Sequence, residues 1–337
     1  MSKVAVVDSS SLLRVLLDLS ALQQKGSTSV VVGIAVYEDS IQFTVSSGVA
    51  YTAKIPAQET VPMNITTLYT PMEEFIDEDC VISIEIQDRH VVFTSQNFRM
   101  SLDSAYSTVE PLKMPEGCEW SKIQDFKSAA AGLKTLLSTG LANYYKREQP
   151  VSIYGSVSAV SYPNIRMQAR TIGLPFSASM SAEHCKLMLH FKPDEFCIRD
   201  EWIYFRKPQS VLVLPYRFVT SENTIPKIVS DMSAPITLQR GNYTEKVKAL
   251  ARLKFLRVSI VVYRNGIVTQ SFGKSTLLSI PVGMPSGVPV DTFIVPTDLW
   301  YLCLRLLKSD TFQILHNKEG LLCLRTQAET IVLRAVC

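Results

Sequence analysis

The stretch NYTEKVKALARLKFLRVSIVVYRNGI, residues 242–267, changes period halfway. In its first half Tyr243, Val247, Leu250 and Ala251 fall on one side of a helix, with Lys248 and Arg252 on the other; Lys246 and Lys254 add to the charge. Its second half alternates as two strands joined by a tight Arg264-Asn265-Gly266 turn. A helix with one apolar stripe, followed by strands with one apolar face, cannot cover itself. Such a unit needs a second layer.

The unit recurs about six times. The first copy is SSLLRVLLDLSALQQ, capped by Asp8 or Ser10 and followed by STSVVVGIAVYEDSIQFTVSSGVAYTAKIP. The second reads LYTPMEEFI as its helix, then DCVISIEIQ, RHVVFTSQ and NFRMSLDS. In the third, WSKIQDFKSAAAGLKTLLSTGL puts Ile123, Phe126, Ala130, Leu133 and Leu137 on one face before PVSIYGSVSAVSYPNIRMQARTI. The fourth is FSASMSAEHCKLMLHF with EFCIRD, EWIYFRK and SVLVLP. The fifth extends the opening stretch through VTQSFGKSTLLSIPV, and the sixth begins at VPTDLWYLCLRLLKSD with Thr297 as cap. Copies two, four and six share one length and order, a helix of about three turns and three strands, while one, three and five are longer.

Paired units make domains of α+β class, helices against antiparallel sheet. Three follow: 1–111, 112–230 and 231–337, joined by STVEPLKMPEGCE and TSENTIPKIVSDMSAPITLQRG, whose Pro, Gly and polar residues suit linkers.

Composition narrows the function. With 47% apolar and 19% charged residues the chain of 337 is globular, and its apolar runs are too short for a membrane helix. No signal segment opens it, so a cytoplasmic place is expected. Seven scattered cysteines without a CxxC pair read as reduced, mostly buried thiols. The net charge of +3 hides a gradient: residues 1–110 carry 6 basic and 14 acidic side chains, 111–235 carry 15 and 11, and 236–337 carry 13 and 6. The basic end is suited to a polyanion.

Chemistry-bearing motifs do not converge. GxSxG, HExxH and a glycine-rich dinucleotide turn are absent. SFGKST lacks the upstream glycine of a phosphate loop, Val268 standing in its place, and reads as a surface turn. His184 and His190 are six apart, the wrong spacing for a shared metal on a helix, and EEFIDEDC lacks calcium-loop spacing. Asn64 and Asn242 stand in glycosylation sequons, which carry no meaning in a cytoplasmic chain. No catalytic residue, metal or cofactor is expected.

Cations, by contrast, recur on the helices: Arg14 on the first, Lys122, Lys127 and Lys134 around the third, Lys186 on the fourth, Lys246, Lys248 and Arg252 on the fifth, and Arg305 and Lys308 on the sixth. Flexible cations can hold phosphates without reading bases, and without an aromatic ladder beside them they favour double-stranded DNA.

This order and spacing resemble the bacterial-type DNA sliding clamp, the processivity factor of replicative polymerases, over nearly the whole chain. Ile225-Pro226-Lys227-Ile228 resembles the family's connector into its third domain, with isoleucine for the aromatic. The helix and hairpin from Tyr243 and the terminal strand TIVLRAVC follow as the family's do. The resemblance implies a non-enzymatic homodimer ring with helices around DNA and sheets outside. It also implies a hydrophobic pocket for polymerase and clamp-loader peptides, which position matching assigns to Met232, Pro235, Ile331, Leu333 and Ile165 or Met167. The family's threonine-aspartate-glycine-histidine-arginine turn is absent, Ser161-Tyr162-Pro163-Asn164-Ile165 standing near its place. A length slightly short of the cellular members suits a phage-encoded version acting in host cytoplasm. The alternative reading is a structural or assembly protein, such as a viral assembly factor, built from the same units without a ring; an enzyme ranks third.

Overall fold

The computed structural model describes residues 2–23, 30–46, 48–87, 89–105, 108–110, 112–219, 222–272 and 277–335. The SFGKST turn and the last two residues of TIVLRAVC therefore fall largely outside the described residues. In chain order, β1 (Ser2–Asp8) runs into α1 (Ser9–Leu22), then β2 (Val31–Val36), β3 (Ser40–Ser46), β4 (Ala50–Pro56) and β5 (Met63–Leu68). A 3-10 turn (Glu73–Phe75) leads to β6 (Val81–Gln87), β7 (His90–Thr94) and β8 (Arg99–Asp103). Next come β9 (Ser121–Lys122), α2 (Phe126–Leu137), α3 (Leu141–Tyr145), β10 (Val151–Tyr154), β11 (Val157–Tyr162), β12 (Ile165–Arg170) and β13 (Ser177–Met180). They are followed by α4 (Ala182–Phe191), β14 (Glu195–Arg199), β15 (Trp202–Lys207), β16 (Ser210–Pro215), α5 (Ile225–Ser230) and β17 (Ile236–Gln239). The chain closes with α6 (Tyr243–Arg252), β18 (Arg257–Tyr263), β19 (Gly266–Phe272), β20 (Leu277–Gly283), β21 (Asp291–Pro296), α7 (Thr297–Leu306), β22 (Thr311–His316), β23 (Leu321–Arg325) and β24 (Glu329–Arg334). Among the described residues no helix is long and apolar enough to cross a membrane.

Two compact units share these elements, following the continuous sheets rather than the chain order. The first is Met1–Gln124 with Glu183–Arg217. It holds a four-stranded sheet, β1-β6-β7-β8, and an eight-stranded one, β5-β2-β3-β4-β16-β15-β14-β9. The large sheet continues across the repeats because β4 pairs antiparallel with β16, Ser210 facing Ala53 and Val213 facing Ala50. Asp8 caps α1, its Oδ2 accepting from the Ser11 amide at 3.1 Å, and the Ser10 hydroxyl holds its carboxyl below the usual range. Leu12, Val15, Leu16, Leu19 and Leu22 form the buried stripe, each contributing roughly 1.5–3 kcal/mol by leaving water.

The second copy departs from expectation: LYTPMEEFI forms a single 3-10 turn, not a three-turn helix. Tyr69, Met72 and Ile76 are buried there and Phe75 is 59% exposed; Pro71 disfavours helical backbone at Thr70, so no helix extends back through Tyr69. The cysteines also depart from the reduced-thiol reading. Cys118 is bonded to Cys197, Cα atoms 6.1 Å apart, tying the chain just before β9 to β14. Beside it Trp120 stacks on Arg206, 4.2 Å from guanidinium carbon to ring. Cys185, Cys303 and Cys323 are free and buried, and burial pushes the Cys185 and Cys323 thiols up to about 12.

The second unit is Asp125–Ala182 with Phe218–Cys337. Its eight-stranded sheet runs β13-β10-β11-β12-β24-β23-β22-β17 and its four-stranded sheet β20-β19-β18-β21. The opening stretch folds as read: α6 buries Tyr243, Val247 and Leu250, and β18 turns into β19 with Tyr263 facing Gly266. The Tyr243 hydroxyl accepts from Trp300 Nε1 at 2.9 Å and shares a hydrogen bond with Thr269 Oγ1, joining α6, α7 and β19. Gly132 is required where α2 meets β12, since a Cβ there would lie 2.0 Å from the Arg170 carbonyl oxygen.

Two local expectations fail in this unit. Thr297 does not cap α7: Pro296 holds the cap position, and the Thr297 hydroxyl is buried without a hydrogen-bond partner among the described residues. The segment 220–241 is more than a linker, because it contributes α5 and the edge strand β17, paired with β22 from Ile236 to Gln239.

Candidate nucleic-acid interface

The helix cations gather by unit. In the first unit Arg14 is exposed on α1 and Lys186 on α4, and the two helices meet where the His190 ring nitrogen Nε2 lies 2.9 Å from the Leu17 carbonyl oxygen. Lys122 does not join them. It belongs to β9, facing Glu195 on the rim of the large sheet, because the helix of the third copy starts only at Asp125, whose Oδ1 caps it through the Ser128 amide.

In the second unit α2, α7 and α6 carry the cluster. Lys127 and Lys134 are exposed on α2. Lys308, just past α7, donates to Thr135 Oγ1 at 2.7 Å, and Arg305 Nη2 would lie 3.2 Å from a Cβ at Gly140, so the ends of α2 and α7 are neighbours. On α6, Lys246 and Arg252 are exposed, but Lys248 is paired with Glu245 at 3.2 Å and its side chain is only 33% exposed. The carboxylate competes with any phosphate for that ammonium.

The expected peptide pocket divides between two faces of one sheet. Ile165 faces Leu333 and Met167 faces Ile331 across β12 and β24, and all four are at most 2% exposed. Met232 packs elsewhere, on the cluster of Ile225, Leu315, Cys323 and Val332. Side chains alternate along a strand, so Val332 points away from Ile331 and Leu333. The apolar surface near the connector is therefore built on Val332, with half-buried Ile228, Val229 and Leu321 beside Met232. Pro235 is exposed, one residue before β17. Arg166 fixes α5 from the same face, its Nη1 donating to Thr224 Oγ1 at 2.6 Å.

Repeated helix-and-strands halves, joined third strand to third strand into long antiparallel sheets, define a DNA clamp fold of three clamp-like domains in the α+β class. In particular it is the fold of the bacterial DNA polymerase sliding clamps. The clamp from Caulobacter crescentus aligns over 100% of both chains with a TM-score of 0.75 and 11% identity. The Helicobacter pylori beta clamp bound to a DNA ligase peptide aligns over 100% of both at 0.71 and 12%. The Pseudomonas aeruginosa clamp covers 98% of this chain and 99% of its own, at 0.72 and 11%. No protein-family model matches the chain, and no curated protein sequence matches it.

Proposed function

We propose that the chain is a non-enzymatic DNA sliding clamp with domains 1–111, 112–230 and 231–337. Two copies close into a ring around duplex DNA in the cytoplasm and keep a polymerase on its template. The observation that carries this reading is strand order. Each eight-stranded sheet is two halves joined through the last strand of a three-strand run, β4 to β16 and β12 to β24. Among the described residues the four-stranded sheets end on the corresponding strands, β8 and β20, and Thr67 of β5 bridges Ser104 just past β8. Pairing β8 of one copy with β20 of another reproduces the same order, and two such contacts close a two-fold ring that covers both of those edges. Leu277 on β20 is 60% exposed and Met284 just beyond it 82%, the kind of surface a partner covers.

Weak, sequence-independent contacts from the cations on α1, α2, α4, α6 and α7 suit movement along DNA, while the ring supplies retention. A short peptide from a polymerase or clamp loader would dock beside α5, with half-buried Met232, Val229 and Leu321 as the apolar wall. Mass photometry tests the ring: the expected species has twice the chain mass of 37.6 kDa, and Leu277→Asp shifts it to monomer without lowering the melting temperature. A monomer for the unsubstituted protein would count against closure.

A further inference from the structure

One face of the second unit's four-stranded sheet, β20-β19-β18-β21, is turned to the core: Thr269, in register with Ile260 and Ile280, shares its hydrogen bond with Tyr243 of α6. Side chains alternate along a strand, so the residues between these point the other way. One outward row runs Pro281, Val268, Val261 and Thr292, and the next Ser279, Gln270, Ser259 and Ile294. Neither row contains a charge. Ile294 is 36% exposed and Val290, just before β21 and of the same parity, 52%. The corresponding face of the first unit's four-stranded sheet is built differently. It carries Glu85, His90, Arg99 and Asp103, with His90 Nε2 3.1 Å from Asp103 Oδ1 and Arg99 Nη2 donating to Gln87 Oε1 at 2.9 Å. Such charges suit a face turned to water, and the face on β18–β21 lacks them.

The charges at its border are of one sign. Arg257 lies on the same face at one end of β18 and Arg264 in the turn at the other end, both exposed. From residue 257 to 296 the one acid is Asp291, which points to the core side, its Oδ2 3.2 Å from His316 Nδ1. Three strand spacings make the face about 14 Å wide, and the steps from Arg257 to Tyr263 make it about 20 Å long. A helix with its side chains is about 10–12 Å across, and about 13 residues of it span 20 Å. The width therefore suits a single helix, and the border selects its charge. We propose that this face docks an amphipathic helix of a partner protein, apolar along the stripe that meets Val261, Val268 and Ile294 and acidic at the flanks that reach Arg257 and Arg264. The assignment goes beyond the clamp reading and does not rest on it, because the face lies within one sheet of one unit. The apolar surface beside α5 belongs to the other sheet of that unit.

The test is fluorescence anisotropy of the full chain with two labelled synthetic helical peptides of about 14 residues in about 50 mM salt. Both carry leucine at every third or fourth position, flanked by glutamate in one and by lysine in the other. The unsubstituted protein binds the glutamate peptide roughly fivefold or more tightly than the lysine peptide. Arg257→Glu with Arg264→Glu reverses that preference, a gain for the lysine peptide that misfolding cannot produce. Ile294→Asp weakens the glutamate peptide by roughly fivefold or more, and mass photometry gives this variant the same oligomeric mass as the unsubstituted protein. The proposal is overturned by absence of binding, by equal affinity for the two peptides, or by a preference that survives the arginine substitutions. Binding indifferent to Ile294→Asp would place the peptide on another surface, and a change of oligomeric mass in that variant would make the occupant a second copy of this chain; either result also overturns it.

Discussion

Lys207 Nζ lies 2.8 Å from Asp18 Oδ2, joining β15 to α1 over 189 residues of sequence. Asp18 is 6% exposed, and the Tyr51 hydroxyl donates to the same oxygen at 3.0 Å. Lys207 also stands over the Phe191 ring of α4, 4.4 Å away. One carboxylate therefore fixes a strand, two helices and a core tyrosine within the first unit. Burial, with the Asp18 charge, drives the Tyr51 hydroxyl far above its ordinary value, so it stays a donor at every working pH.

Removing that carboxylate leaves a half-buried ammonium uncompensated. Asp18→Ala is expected to cost about 3–5 kcal/mol of unfolding free energy, measured in urea. Asp18→Leu combined with Lys207→Met should cost less than Asp18→Ala alone, since the desolvation of both charges disappears with the pair. Equal losses in the two variants would mean that packing, not charge, dominates the site.

The Cys118–Cys197 bond closes a loop over a sequence separation of 79 residues. Cys118→Ser with Cys197→Ser, or reduction, is expected to lower stability by roughly 2–4 kcal/mol. Thiol counting under denaturing, non-reducing conditions checks the bond itself: titration of all seven cysteines would contradict it.

On α6, Glu245 holds Lys248. Glu245→Ala frees that ammonium and removes a negative charge from the same face. Affinity for duplex DNA is expected to rise a few-fold at low salt, with the logarithmic salt slope steeper by about 1, one more phosphate being neutralised. Unchanged affinity and slope would take α6 out of the DNA-facing set.

The parts of the fold that were legible are those with a strong period or a local cap. Asp8 before SSLLRVLL and the switch from Tyr243–Arg252 to the Arg264-Asn265 hairpin each reported their own conformation. The second copy misleads because Tyr69, Met72 and Ile76 have helical spacing, while Pro71 between them keeps Thr70 out of a helix. Lys122 misled because the run WSKIQDF looks helical, while its first part completes the rim of a sheet begun at Glu195.

At the apolar surface beside α5 the difficulty is parity. Every residue from Glu329 to Leu333 is buried, so β24 has no polar alternation to reveal which side chains face α5. Position matching names Ile331 and Leu333, whereas the side chain packed beside α5 is that of Val332. The Glu245–Lys248 pair, by contrast, stood three residues apart on a helix and could have been read directly. The row that places Gln168, Thr330, Arg325, Gln313 and Thr237 side by side could not, since it forms through strand registers that exist only after folding.

Encirclement is the central claim, and topology gives it a signature that no surface binding shares. The protein is loaded on nicked circular DNA with a clamp loader, and the DNA is then cut once. The account predicts that the bound protein survives gel filtration on the circle in moderate salt and is lost within minutes of linearisation, unless the ends are blocked. Equal retention on circular and linear DNA would contradict it.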